Sequence, residues 1–365
     1  MKVLHILTSG HAGGIETLCR EVGKNSRHEN GFCFMSFGGE IYEQMERLGI
    51  TVYPIYKLGK KWSVKKLDVL VKVAQKYDVL IVHNEDPFME LYFLFAKRFA
   101  RILGVRYVHS CYGDNMQTDG NFIKRKLKHV VMQSSLSAAE RIVFVSKAGK
   151  QSCQKICKFD NAKSYVIYNG ISTHYIAEGN RNELDFKANP IEILYVGRLS
   201  PIKGVAFLIK AVNELKGKYN LRLSIVGDGT ERQELEKMVD GSTIFYGVQT
   251  DIIPFMKKAN IFVYPSICQE VFGISIVEAM AFGIPCIGNR VGGIPEIIED
   301  GVNGLLTTNT DTDGIKECLV EMLEIFRDLQ KAEDMSQSAK QQAKRFSIVN
   351  TCNQLDEMLQ MMKQK

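Results

Sequence analysis

Short apolar runs alternating with stretches of helical pattern, in two successive series, constrain this chain more than any other feature. In the first series the runs fall at 2–8, 31–37, 50–56, 79–83, 106–109, 142–146 and 165–168. They have the length and branched or aromatic content of strands. Residues 17–25, 64–76 and 88–103 between them carry helical spacing. From Ile191 the alternation starts again, with runs at 191–196, 221–226, 244–246, 261–266, 285–288 and 301–306. Helix-linked strands of this kind predict α/β architecture, with parallel sheets covered by helices on both faces. A length of 365 residues allows two such domains. The polar, pattern-poor stretch 173–189 reads as the linker, which gives domains at 1–170 and 190–345. Residues 313–344 read as helical, and 348–364 as a final amphipathic helix bearing Ile348, Cys352, Leu355, Met358, Leu359 and Met362.

In open parallel sheets, ligands bind beyond the carboxyl ends of the strands, so the residues at those ends matter most. Glu270-Val-Phe-Gly-Ile-Ser-Ile-Val-Glu278 follows a strand and enters a helix. Its start offers free backbone N–H groups suited to a phosphate, with carboxylates on either side to accept from sugar hydroxyls. Alone, this would be a surface loop with one solvated Glu. Gly197-Arg-Leu-Ser-Pro-Ile-Lys-Gly204 follows the first strand of the second series. Arg198 supplies a planar fork and Lys203 a point charge, a pair able to neutralise a diphosphate. Gly227-Asp-Gly229 and Gly247 close the next two strands, and Gly292-Gly-Ile-Pro-Glu296 follows a later one. In the first half, Gly13 and Gly14 suggest a tight strand-to-helix bend with close backbone approach to a ligand. His83 and His109 end strands and are expected to face the crevice.

Composition narrows the class. No apolar run approaches a spanning helix, and Met1-Lys-Val-Leu-His-Ile-Leu-Thr8 reads as a strand, not an export signal. Nine scattered cysteines without ligand spacing read as reduced thiols in cytoplasm. Asp311-Thr-Asp313 is a possible metal pair, but its place in a polar loop beyond the other motifs argues against one. Residues 1–185 hold 27 Lys and Arg against 18 Asp and Glu; the remainder holds 20 against 23. Three basic groups lie in that first half: Lys97, Arg98 and Arg101; Lys124, Arg125, Lys126 and Lys128; and Lys57, Lys60, Lys61, Lys65 and Lys66 around Trp62. With aromatics beside two of them, they favour an anionic membrane surface. No nucleic-acid-binding signature is present.

Taken together, the Gly13-Gly14-Ile15-Glu16 turn, the strand ending at His109, the Arg198/Lys203 loop, the Gly227–Gly229 turn, the Glu270/Glu278 pair and the Gly292–Glu296 loop resemble the retaining glycosyltransferases of family 4. The resemblance implies a GT-B fold, two Rossmann-like domains facing a deep cleft, with the last helix returning to the first domain. It implies a nucleotide-diphosphate sugar donor of UDP or GDP type, no resident cofactor and no metal. Arg198 and Lys203 would hold the diphosphate and Glu278 the ribose. Glu270, with the backbone of Phe272 and Gly273, would meet sugar or phosphate, Gly14 would approach the diphosphate, and His109 would contact the sugar. Gly13 and Gly247 are grouped with the donor contacts. The acceptor would be lipid-linked or polysaccharide, met at the inner face of the plasma membrane by a cytoplasmic, peripheral enzyme. No acceptor motif is readable, and His83-Asn-Glu-Asp86 is a candidate by position alone. Two competing readings are a catalytically silent nucleotide-binding partner of a sister transferase, and a soluble epimerase or disaccharide synthase of the same fold.

Overall fold

The computed structural model describes every residue except 60–61, 84–85, 111–121, 181–182, 240 and 364–365, and only the backbone of 122–124. Two compact units emerge, Met1–Gly170 with Ile348–Lys365, and Ile171–Ser347.

The first unit contains β1 (Lys2–Leu7), β2 (Glu29–Phe34), β3 (Thr51–Tyr53), β4 (Val79–Val82), β5 (Leu103–Val108), β6 (Arg141–Phe144) and β7 (Ser164–Val166). They form one sheet in the order β3-β2-β1-β4-β5-β6-β7, parallel throughout. Its helices are α1 (Gly14–Asn25), α2 (Glu40–Arg47), α3 (Val64–Ala74), α4 (Pro87–Ala100), α5 (Phe122–Ala138) and α6 (Lys147–Gln154). Both faces of the sheet are buried, which is why β4 is the unbroken run Val-Leu-Ile-Val. Leu4, Ile6, Leu80 and Val82 pack with Leu70, Met89 and Phe93. On the other face Leu7, Phe32 and Phe34 pack with Cys19, Ile41 and Met45. Each such fully buried side chain contributes roughly 1.5–3 kcal/mol.

The second unit holds α7 (Thr173–Asn180), β8 (Ile191–Val196), α8 (Val205–Leu215), β9 (Leu221–Val226), α9 (Arg232–Glu236), β10 (Thr243–Gly247), α10 (Ile253–Met256), β11 (Ile261–Tyr264), α11 (Ile274–Ala281), β12 (Cys286–Asn289), β13 (Gly304–Thr307), α12 (Thr312–Ile325) and α13 (Leu329–Arg345). Its sheet runs β10-β9-β8-β11-β12-β13 and is also parallel. The final helix, α14 (Ile348–Lys363), belongs to the first unit. There Asp356 is buried and accepts from the Ser26 hydroxyl at 2.8 Å and the Arg27 amide at 2.9 Å.

Several expectations need correction. The stretch 173–189 is not a bare linker: Thr173–Asn180 is helical, and a Cβ on Gly179 would lie 1.9 Å from the Ala281 carbonyl oxygen. The run 50–56 is a strand only over Thr51–Tyr53, because Pro54 cannot extend the ladder and a 3-10 turn follows. The helix from Phe88 stops at Ala100, where Arg101 turns left-handed at φ 58°. The helical stretch 313–344 is two helices as expected, the second capped by the Asp328 side chain.

Candidate active site

A parallel sheet opens a crevice where strand order reverses. In the second unit that reversal lies between β8 and β11, so the loop carrying Arg198 and Lys203 and the loop carrying Glu270 are neighbours. Backbone contacts join them. Gly204 is left-handed at φ 66°, and a Cβ there would sit 2.2 Å from the Pro265 carbonyl oxygen. The Ile267 amide donates to the Ile202 carbonyl at 3.0 Å. A third loop closes on the second: Gly292 is left-handed at φ 54°, and a Cβ there would meet the Glu270 carbonyl oxygen at 2.1 Å. The buried Asn289 amide donates to the carbonyls of Pro265 and Ser266 at 2.9 and 3.0 Å. Thr307 donates in turn to Asn289 at 2.8 Å. The end of β13 thus steadies β12, and β12 steadies the Glu270 loop.

Lys203 Nζ donates to Glu270 Oε1 and lies 3.1 Å from the Tyr264 hydroxyl. Ser266 Oγ and Cys268 Sγ donate to the same carboxylate at 2.6 and 3.3 Å. Burial pushes the Glu270 carboxyl up, but the Lys203 charge and these hydrogen bonds outweigh it and hold it below the usual value. Glu270 is therefore an anion whose charge is locally balanced. Tyr264, Ser266 and Asn289 were missed from sequence; their signal was position, at the ends of two central strands.

Gly273, left-handed at φ 93°, begins α11, and no side chain caps that helix start. Phe272 is buried, its ring edge-on to Phe346 at 5.3 Å, so only its backbone remains for a ligand. Glu278 is half-buried on α11 and forms no hydrogen bond or ion pair through its side chain among the described residues. Burial pushes it up to about 8. Arg198 is exposed, and its guanidinium likewise has no partner among the described residues. The Gly247 carbonyl accepts from the Gly227 amide at 2.8 Å, which ties two strand-end loops together.

In the first unit the reversal lies between β1 and β4. Gly13 is extended at φ −164° and forms the N-cap of α1. Neither Gly13 nor Gly14 takes a positive φ, so the turn from β1 into α1 does not draw on glycine's left-handed freedom. A Cβ on Gly14 would meet nothing within 4 Å. His109 is half-buried. His83 is not open to a crevice as expected: it is 2% exposed and sits between His5 and His109, at 2.8 and 3.0 Å. Burial, with Arg106 adding, lowers His109 to about 3; burial lowers His5 to about 4. Beyond the same strand ends lies a hollow of about 650 Å³. Phe37, Trp62, Phe88 and Tyr92 supply its aromatic lining, with Lys66 and Asp86 among its polar groups.

Other candidates resolve differently. Asp311 caps α12 by accepting from the Gly314 amide at 3.0 Å, and Asp313 pairs with Lys316 at 2.7 Å. Lys97 pairs with Glu140 at 2.8 Å, and Lys66 is buried with its ammonium on the Met35 carbonyl. Neither is a solvated basic group. Arg98 and Arg101 are exposed. Lys60, Lys61, Asn84 and Glu85 lie outside the described residues, as does the Lys124 side chain. No disulfide joins the eight cysteines described. Among the described residues, no helix is long and apolar enough to cross a membrane.

Comparison with known proteins supplies the family. Residues 10–175 match Glycosyltransferase Family 4, and residues 177–342 match Glycosyl transferases group 1. An uncharacterized glycosyltransferase of Methanocaldococcus jannaschii is 28% identical over 334 residues, covering 83% of each chain. The lipopolysaccharide core biosynthesis glycosyltransferase LpsE of Rhizobium meliloti is 33% identical over 163 residues, 43% of this chain and 47% of that protein. Among solved structures, Anabaena HepE in complex with UDP superposes with a TM-score of 0.82 at 23% identity, covering 99% of this chain and all of that one.

Proposed function

The chain belongs to the family 4 glycosyltransferases of GT-B fold, and from that premise we propose a retaining transfer from a nucleotide-diphosphate sugar to a lipid-linked or polysaccharide acceptor. The observation that carries the reading is the junction of the β8 and β11 loops, which brings Lys203 onto Glu270 beside the uncapped start of α11.

Sugar transfer develops positive charge at the anomeric carbon while negative charge builds on the departing phosphate. Fixed cations at that phosphate stabilise the transition state more than the ground state. Arg198, Lys203 and the N-terminus of α11 are the groups we assign to the diphosphate, so the reading needs no metal. Glu278 accepts from the ribose hydroxyls, and Glu270 holds the donor sugar. Because the Glu270 charge is already answered by Lys203, Ser266 and Cys268, we do not read it as the nucleophile. Retention then proceeds by same-face displacement, the leaving phosphate helping to remove the acceptor's proton. Gly13, Gly14 and Gly247 contribute backbone near the donor, and His109 contacts its sugar.

HepE was crystallised with UDP and with UDP-glucose, which favours a uridine donor here. The aromatic hollow of the first unit is our candidate for the acceptor head. Exposed Phe88, Phe95 and Phe99 on α4, with Leu127 and Val130 on α5, suit a peripheral place on an anionic membrane. Thermal shift with UDP-, GDP- and ADP-sugars, followed by transfer of the label from the best donor, tests the reading. One class should raise the melting temperature by mass action. No shift with any donor would favour the silent-partner alternative.

A further inference from the structure

His5, His83 and His109 belong to β1 and to the ends of β4 and β5, which are adjacent in the sheet. Asn30, on neighbouring β2, closes the row. The Asn30 amide donates to the His28 carbonyl at 2.8 Å, which leaves Oδ1 facing His5 Nε2 at 3.0 Å. That oxygen is an acceptor, so His5 Nε2 carries the hydrogen. A neutral imidazole has one donor and one acceptor nitrogen, and burial disfavours the charged form of all three rings. The first assignment then fixes the others. His83 Nε2–H donates to His5 Nδ1 at 2.8 Å, and His109 Nε2–H donates to His83 Nδ1 at 3.0 Å. The rings are also held by stacking: Tyr107 lies 4.6 Å from His109 and 5.1 Å from His83 between centroids.

A metal explains the cluster less well. His5, Cys19 and His83 have potential ligand atoms within 4.8 Å of one another. Yet the two nitrogens at 2.8 Å are closer than the roughly 3.4 Å that separates ligands on a tetrahedral zinc with bonds of about 2.1 Å. Their spacing is that of a hydrogen bond.

We propose that His83 and His5 are positioning residues for glycosyl transfer: anchored on Asn30, they lock His109 in its Nε2–H tautomer and fix the ring in the orientation from which it meets the donor sugar. The inference rests on His109 being a donor-sugar contact. A ring free to swap tautomers and turn would lose the geometry the reaction needs.

The test joins a spectrum to kinetics. Nitrogen-15 NMR of the full chain should show His109 protonated at Nε2 and bare at Nδ1. His83→Leu keeps an apolar side chain but removes both bonds. It should give a second His109 tautomer and a kcat lower on the order of 10²-fold, with donor KM within about threefold. His83→Gln can accept from His109 Nε2–H and donate to His5 Nδ1, so it should restore one tautomer and most of the kcat. An Nδ1–H signal in the wild-type chain, or equal loss in the Leu and Gln variants, overturns the proposal. Unchanged transfer by His109→Ala with the Nε2–H spectrum intact would instead overturn the donor-contact reading beneath it.

Discussion

The Lys203 ammonium donates to the Glu270 carboxylate and also lies 5.4 Å from the centre of the Tyr264 ring. Both charged side chains are largely buried, at 19% and 13% exposure. The lysine read as a diphosphate cation thus also balances the charge of the carboxylate read as a sugar contact. Arg198, exposed and without a partner among the described residues, carries no such structural duty.

The two cations should therefore separate in a stability measurement although both are assigned to the diphosphate. Lys203→Ala leaves a buried anion with only Ser266 and Cys268, and should cost about 3 kcal/mol. Arg198→Ala should stay within about 0.5 kcal/mol of wild type. Each should lower transfer on the order of 10²-fold. Urea midpoints beside donor turnover give the comparison. Equal destabilisation by both substitutions would refute the division of roles.

Glu278 gives a prediction in pH. Its carboxyl is raised from 4.5 to about 8 by burial. Between those values the folded chain holds a proton that the unfolded chain has lost. The contribution of this group to stability is complete below the unfolded value and is lost as pH rises through 8. Glu278→Gln should flatten that dependence. If ribose hydroxyls donate to the ionised carboxylate, donor binding lowers its pKa and releases a proton near pH 7. Calorimetric heats should then vary with the buffer's ionisation enthalpy for wild type and not for Glu278→Gln. The same variation in both proteins would remove Glu278 from the ribose.

The parallel sheets and the strand-end places of Arg198, Lys203 and Glu270 were legible because each signal was local. An unbroken apolar run marks a strand buried on both faces, and a glycine-flanked Arg or Glu after it marks a strand end. What escaped was relational. Nothing local shows that Gly292 lies against the Glu270 carbonyl, or that Asn289 ties down that loop. The histidine row was half visible, since His83 and His109 end strands, but His5 sits inside a strand and reads as an oddity until β1 is set between β2 and β4. Lys66 and Lys97 looked solvated because sequence gives their helices but not the Met35 carbonyl or Glu140 opposite them.

Arg106 and Glu90 make a buried pair at 2.5 Å, with exposures of 0% and 3%. The guanidinium also donates to the Tyr107 carbonyl at 2.6 Å. Burial pushes the Glu90 carboxyl up despite the opposite charge, so the pair's desolvation is only partly offset by attraction. Glu90→Ala leaves the buried guanidinium without this counter-charge and should cost about 3–5 kcal/mol. Joint replacement by Glu90→Leu and Arg106→Met should recover most of that loss. A double variant no more stable than Glu90→Ala, in denaturant titrations, would show that the pair is worth more than its apolar replacement.

The membrane reading has its own measurable face. Phe95 and Phe99 stack at 6.1 Å and are 39% and 59% exposed. Arg98 lies beside them, and Leu127, 62% exposed, is on α5, which packs against α4. Apolar groups inserted among headgroups add to electrostatic attraction, and each nearby basic residue contributes about 1 kcal/mol at an anionic surface. Sedimentation with vesicles containing anionic lipid should fall with rising salt, and fall again in Arg98→Glu and in Phe99→Ser, with donor turnover in solution unchanged. Lys97→Glu is a poor probe, because it would place two carboxylates together at Glu140 and weaken the fold. Wild-type sedimentation that is indifferent to both lipid charge and the Phe99 substitution would leave this face as ordinary surface.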